Sequence, residues 1–170
     1  VIQITSSIIP ISSIINTIGW DYVSVNTIIP AWVSPHGFDL SAQDLVALEK
    51  SEISFLIGLE QIDGFLEKPL ENKKHVELAE GIELLEAAAH DHDEHKDEDE
   101  HSEEHEEEHH DEDEHSEEHE DEHDEYSVDA HIWLGKDNII MIAGRVRDEL
   151  SLIIPEQAEY FSENTKSFEV

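Results

Sequence analysis

Apolar positions change their period several times along the first ninety residues, and each change marks a short element. Residues 1–5 alternate apolar and polar side chains and predict a strand. Residues 8–18 (IIPISSIINTI) carry apolar residues at helical spacing and stop at Gly19, a natural helix end. Residues 23–29 predict a second strand closed by Pro30, and a loop follows over 31–40. Ser41 with Asp44 three residues on resembles a capping box and opens a predicted helix through Lys50. Residues 53–58 are mainly apolar, as strands buried on both faces of a parallel sheet tend to be. A short helix or turn over 65–70 and a fourth strand over 74–78 come next. Near the far end, Asp137 is placed to cap a helix running to Ile154, and Pro155 to open another that continues to residue 170. Strands alternating with helices predict an α/β fold: a three-layer lobe with a mostly parallel sheet flanked by helices, followed by a long helix. Ligands in such sheets sit beyond the carboxyl ends of the strands.

Between residues 90 and 125 the pattern disappears. This tract holds ten histidines, twenty-three Asp or Glu residues, one lysine and two serines, so it has nothing to bury in a core and predicts a disordered insertion. Its histidines are His90, His92, His95, His101, His105, His109, His110, His115, His119 and His123. His101, His105 and His109 are four apart, as are His115, His119 and His123, and the segment His-Ser-Glu-Glu-His occurs at both 101–105 and 115–119. An acidic run is ordinarily a solvated linker that needs no ligand. Histidine at more than a quarter of its positions points instead to divalent metal, because solubility calls for no imidazole. A helix would align the histidines four apart, but the like charges between them disfavour it until cations bind.

Charge and composition narrow the partners. Of the formal charge of -35, the tract supplies -22 (twenty-three acids against Lys96), leaving -13 for the remainder. With no basic patch to meet phosphates, nucleic acid is excluded as a partner. The residues outside the tract are rich in Ile, Val and Leu, enough for one core of ordinary domain size. The absence of cysteine removes disulfides, thiolate metal sites and a cysteine nucleophile, and suits an exported protein. No apolar run reaches the eighteen or so residues of a membrane span. The chain opens without Met and without a basic leader, so no signal peptide is expected in it.

Two histidines outside the tract stand out. His36 lies between Pro35 and Gly37 in the loop after the second strand, at a carboxyl end. On its own it reads as a surface histidine in a Pro-rich loop. His131 lies just after the tract, in Asp129-Ala130-His131-Ile132-Trp133-Leu134, and reads equally as a ligand or as a histidine packed beside Trp133. The readings strengthen each other only if both face one cleft. Asp39 and Asp129 are near enough to orient them.

The motifs Ser34-Pro35-His36-Gly37-Phe38 and Asp129-Ala130-His131-Ile132-Trp133-Leu134, with the His- and acid-rich tract between them, resemble the zinc-specific solute-binding proteins of bacterial ABC transporters. Ala42-Gln43-Asp44-Leu45, Leu48-Glu49-Lys50-Ser51, Ile57-Gly58 and Phe65-Leu66-Glu67-Lys68-Pro69-Leu70 follow the same order, so the likeness covers essentially the whole chain. Ala130 stands where the family often has proline, and Gly135-Lys136 where it often has a residue followed by proline. The resemblance implies two α/β lobes joined by a rigid helix, with Zn²⁺ held in the cleft by three histidines. It implies that His36 and His131 are metal ligands and that the third belongs to a second lobe absent from this chain. The implied organisation is an N-terminal lobe over 1–89, the His/Asp/Glu-rich loop over 90–125, the rest of the lobe over 126–154, and the start of the inter-lobe helix over 155–170. The ten tract histidines become accessory metal ligands.

The function implied is zinc capture in the periplasm and delivery to an ABC membrane permease, by a monomer with no enzymatic activity. A metal-storage or chaperone protein built around the tract, and a manganese-binding member of the same family, are the alternatives. A metalloenzyme finds no support, for the sequence has no HExxH motif, nucleophile elbow or Gly-rich phosphate loop.

Overall fold

Strand β1 (Ile2–Ile8) occupies the middle of the sheet, and that position explains its polar residues. The computed structural model describes residues 1–34, 38–86 and 128–169. Among them, β1, β2 (Val23–Ile29), β3 (Ile53–Leu56) and β4 (His75–Glu77) form a parallel sheet in the order β2-β1-β3-β4. Ile4 of β1 lies opposite Val25 on one side and Ile53 on the other, and Ser54 of β3 lies opposite His75. The strand predicted over residues 1–5 therefore runs three residues further, through Ser6 and Ser7. All of residues 4–8 are buried, and the Thr5 and Ser6 hydroxyls bond inside the protein. Thr5 and Ser54 share a hydrogen bond of 2.5 Å across the two strands, and Ser6 Oγ donates to the Ile8 carbonyl at 3.1 Å. A strand buried on both faces has no alternating pattern to read.

Helix α1 (Ile9–Gly19) follows β1 directly, with Pro10 in its first turn, where the missing N–H is no loss. Ile11, Ile14, Ile15 and Ile18 recur at helical spacing and are buried, each stabilising the core by about 2 kcal/mol. Gly19 is the last residue of the helix and admits no side chain, because a Cβ there would collide with the Val23 side chain. The chain leaves the helix at Trp20, whose φ is +40°. The capping box of α2 (Ala42–Lys50) forms as predicted: Asp44 N–H donates to Ser41 Oγ at 3.2 Å, and Ser41 N–H donates to the Asp44 carboxylate at 2.9 Å. Between β3 and β4 the chain makes two single-turn helices, α3 (Glu60–Asp63) and α4 (Glu67–Leu70), joined by a tight turn.

After β1 and α1 the chain moves outward to β2, then returns past β1 to β3. Right-handed crossovers put the connecting helices on opposite faces when the direction reverses in this way. The helices do fall into two groups: α1 packs with α5 (Lys136–Ile153) and α6 (Ala158–Thr165), while α2 contacts α4 and β1. The result is the expected three-layer α/β lobe. Ile142, Ala143, Val146 and Leu150 of α5 and Phe161 of α6 complete the core. Tyr22 meets Tyr160 and Phe161 edge-on at 5.3 and 6.0 Å, and Asn164 Nδ2 donates to the Ile18 carbonyl at 2.9 Å. The segment 158–165 is thus folded against the lobe.

Three details differ from the sequence expectation. Gly135, not Asp137, is the cap of α5, and Asp137 sits in the first turn, where its charge opposes the positive end of the helix dipole. The helix stops at Ile153, because Ile154 precedes a proline and is driven out of helical geometry. Pro155 opens a 3-10 turn, Pro155–Gln157, before α6, and a second, Lys166–Phe168, closes the chain's last described turn.

The strand predicted over 53–58 ends at Leu56 because the next three N–H groups turn inward. Those of Ile57, Gly58 and Leu59 all donate to the Asp63 carboxylate, at 2.5, 3.0 and 3.3 Å. Gly58 has φ of +81°, and a Cβ there would lie 2.6 Å from the Glu77 side chain, so glycine is required. Burial pushes the Asp63 carboxyl above its ordinary range, against the opposing pull of these hydrogen bonds. Folding therefore takes up a proton at Asp63. The associated stability is full below the ordinary value of 3.8 and is lost as pH rises through the raised value. Asp63→Ala leaves three inward N–H groups without an acceptor and is expected to destabilise the lobe by about 2 kcal/mol. Urea unfolding at a series of pH values checks both effects, since the variant should also lose this contribution to the pH dependence.

Candidate metal centre

The chain leaves and re-enters the described lobe at one point. Glu86 and Val128 form an antiparallel bridge, and Asp129 N–H donates to the Leu85 carbonyl at 2.7 Å. Gln61, on α3, donates its Nε2 to the Val128 carbonyl at 3.1 Å. The two ends of the intervening stretch are therefore tied together and fastened to the segment that follows β3. This stem leads at once to His131.

His131 is held at both its backbone and its ring by one carboxylate. Asp129 Oδ1 accepts from the His131 N–H at 2.9 Å and lies 2.7 Å from its Nδ1. These bonds hold the Asp129 carboxyl below the usual carboxylate range, the backbone bond contributing most. An ionised carboxylate accepts only, so Nδ1 is assigned the proton and Nε2 is left with a free lone pair. On its other side the ring meets Trp133 edge-on at 5.3 Å. The short 3-10 turn Ile132–Leu134 places Ile132 in the core while His131, with 61% of its side chain exposed, stays at the surface. A cavity of about 270 Å³ opens beside it, walled by Glu83, Leu84 and Leu85 on one side of the stem and by Asp129, Ile132 and Leu134 on the other.

The second motif loop begins with a turn in which Val33 N–H donates to the Pro30 carbonyl at 3.1 Å. It leaves Trp32 almost fully exposed. Pro35, His36 and Gly37 lie outside the described residues, and so do the ten tract histidines His90, His92, His95, His101, His105, His109, His110, His115, His119 and His123. Phe38, which follows them, packs on Phe65 with ring centroids 5.4 Å apart. Of the predicted ligands, the structure describes His131 alone. Among the described residues, no three His, Asp or Glu side chains converge to hold a metal. Of the two suggested orienting carboxylates, Asp129 meets its histidine, whereas Asp39 is exposed.

Sequence reading missed Gln61, Phe65 and Asp63, which hold these loops. The only local signal was the Gly58 turn after an apolar strand, since their contacts reach residues far along the chain. Arg145 of α5 was missed for the same reason. Its guanidinium donates to the carbonyls of Glu77, Leu78 and Glu80 and fixes the chain just before the stem.

With this geometry in view, comparison with known proteins is specific. The family described as "Zinc-uptake complex component A periplasmic" (ZnuA) matches residues 4–170. The "High-affinity zinc uptake system protein ZnuA" of Haemophilus influenzae is 31% identical over 96 residues, which are 53% of this chain and 28% of that protein. A crystal structure of ZnuA superposes with a TM-score of 0.69 at 26% identity, over 98% of this chain and 54% of the other. A manganese-bound periplasmic metal binding protein from Candidatus Liberibacter asiaticus shares the fold, with a TM-score of 0.68 at 16% identity, over 97% of this chain and 50% of that one. The chain thus spans about half the length of these solved relatives. The matched family model, extending from Ile4, the first buried residue of β1, to the end of the chain, shows that this chain belongs to the ZnuA family of periplasmic zinc-uptake components.

Proposed function

We propose that this chain forms a zinc-capturing lobe of a periplasmic solute-binding protein that passes Zn²⁺ to an ABC import permease. The observation that carries this reading is the Asp129–His131 pair, which leaves Nε2 with a free lone pair on a histidine that lines a cavity. A metal-binding imidazole with its other nitrogen fixed by a carboxylate is the usual arrangement at zinc sites. His36 and His131 serve as ligands from this lobe, and the third histidine comes from a second lobe. Neutral imidazole at about 2.0–2.1 Å suits the tetrahedral shell of zinc, whereas manganese prefers oxygen.

On this reading residues 1–89 and 126–154 make the lobe, residues 155–170 begin the connection to a second lobe, and the tract over 90–125 is an accessory element that gathers cations. The stem supports that division, because Glu86 and Val128 join the lobe's two parts without the residues between them. A storage protein built on the tract would have no use for an oriented histidine outside it.

Zinc titration by calorimetry separates these roles. The parent chain should show one class of binding that disappears in His36→Ala and His131→Ala, and a looser class that disappears when residues 90–125 are deleted. Equal binding by the parent and both histidine variants would favour storage. Asp129→Asn replaces the acceptor that fixes the ring and should weaken the first class by about 10- to 100-fold. Acidification should release the metal as imidazole protonates, since imidazolium cannot coordinate. Asp129 titrates below the usual carboxylate range, so its bond to His131 is present above that lowered value and lost only as pH falls through it. The Asp129 carboxyl signal in NMR should therefore move after zinc has left. In His131→Ala its titration should rise only part of the way toward the ordinary aspartate range, because the ring bond is lost while the backbone N–H, the larger cause, remains.

A further inference from the structure

We infer that Trp133, which is no metal ligand itself, is a positioning residue for His131: its indole sets the plane of the imidazole and so the direction of the free Nε2 lone pair. The inference rests on the ligand role proposed for His131. The backbone on either side of the histidine is already fixed. Ala130 and Ile132 are buried in the core. Ile132 N–H donates to the Ala130 carbonyl at 2.9 Å, and Leu134 N–H to the His131 carbonyl at 3.1 Å. The ring stands apart from this frame, with 61% of the side chain exposed, and its Nδ1 meets Asp129 Oδ1 at 2.7 Å.

One hydrogen bond is not enough to aim the ring. A histidine side chain turns about two bonds, Cα–Cβ and Cβ–Cγ, and the second rotation is intrinsically broad. A single bond of fixed length restrains only one combination of the two, so a second contact must define the ring plane. Trp133 supplies it. Its ring meets the imidazole edge-on, with centroids 5.3 Å apart and planes at 64°, in the arrangement aromatic rings favour. The indole is half-buried and packs against the core, which makes it a firm stop for a ring that is otherwise open to solvent. Packing beside Trp133 and a ligand role for His131, which the sequence offers as rival readings, are therefore compatible: the packing contact aims the donor.

Calorimetric zinc titration of the full chain tests this, with the class of binding lost in His131→Ala taken as the one that uses His131. Trp133→Leu is expected to weaken that class about two- to tenfold and to leave the looser class unchanged. Trp133→Phe restores an aromatic contact and should recover most of the loss. In an Asp129→Asn background Trp133→Leu should cost less than it does alone, because two restraints on one ring are coupled. Unchanged affinity in Trp133→Leu overturns the proposal. So does a loss that Trp133→Phe does not recover, or one that multiplies in full with that of Asp129→Asn. A second readout needs no metal. In proton NMR of the metal-free chain the His131 ring signals should be displaced by the indole ring current, and should move toward ordinary positions in Trp133→Leu. Undisplaced signals in the parent overturn the contact itself, and this arm carries the test should Trp133→Leu fail to fold. If His131→Ala removes no class of binding, the ligand reading fails and the aiming role falls with it, while the NMR displacement separately decides whether Trp133 holds the ring.

Discussion

The buried carboxylate of Asp63 is the contact on which the working end of this lobe depends. At the carboxyl end of β3 the chain must leave the sheet, and its N–H groups lose their strand partners just where the interior is dry. An unpaired amide in such a place costs a few kcal/mol. Asp63 collects three of them at once and so turns the backbone sharply at Gly58. The same side chain fixes the helix turn it sits on, and with it Gln61 and Phe65. The point lies where the strand order reverses between β1 and β3, the place at which α/β sheets open a crevice. Burial opposes the charge on this carboxylate while the amides support it, so a polar network holds the end of the sheet where apolar packing alone would leave it unformed.

From that anchor outward, the lobe is organised by the reversal of winding. The isoleucines of α1 seal one face of β1, and α5 and α6 continue that layer, while α2 and α4 cover the other. Because β1 is sealed on both sides, the hydroxyls of Thr5 and Ser6 find their partners inside the protein. Thr5 meets Ser54 across the strands at 2.5 Å and Ser6 donates to the Ile8 carbonyl, while Ser12 of α1 meets Thr27 of β2 at 2.5 Å. Arg145 then ties α5 to the carbonyls that follow β4, closing the lobe just ahead of the stem.

Features written in local sequence were legible. The capping box at Ser41 and Asp44, the stop at Gly19 and the strand ending before Pro30 each depend on residues a few positions apart, and each forms as expected. What failed to show was whatever depends on distant partners. Ser6 and Ser7 look like the end of a strand until Ser54 and the covering helices are in place. Asp137 looks like a cap until Gly135, the better residue for an extended cap, takes that role. The Asp129–His131 pair was half legible. Its spacing of two residues allowed the contact, but only the turn at Ile132–Leu134 directs one oxygen to both the ring and the backbone N–H. Gln61 gave no sign at all, because its partner lies 67 residues away, beyond the tract.

The stem also explains how so charged an insertion can be carried by a small lobe. Closing a loop costs free energy that grows only with the logarithm of its length, about 0.6 kcal/mol for each doubling, so once Glu86 and Val128 are paired the number of residues between them matters little. The charge matters more. Twenty-three acids in the tract repel one another and the -13 carried by the rest of the chain, and each bound divalent cation relieves both repulsions. On the proposed reading, many weak, cation-attracting ligands are tethered beside one oriented imidazole. On that reading the tract raises the local concentration of metal, while Asp129 orients the imidazole that holds a single ion. Abundance and precision of ligands are thus divided between two neighbouring parts of the chain. Neither part supplies both: a high density of charge does not by itself select a coordination shell, and an oriented histidine in an acidic lobe has no means of gathering ions beyond the general field. The stem is the physical join between them, and Gln61 ties it to the turn that follows β3.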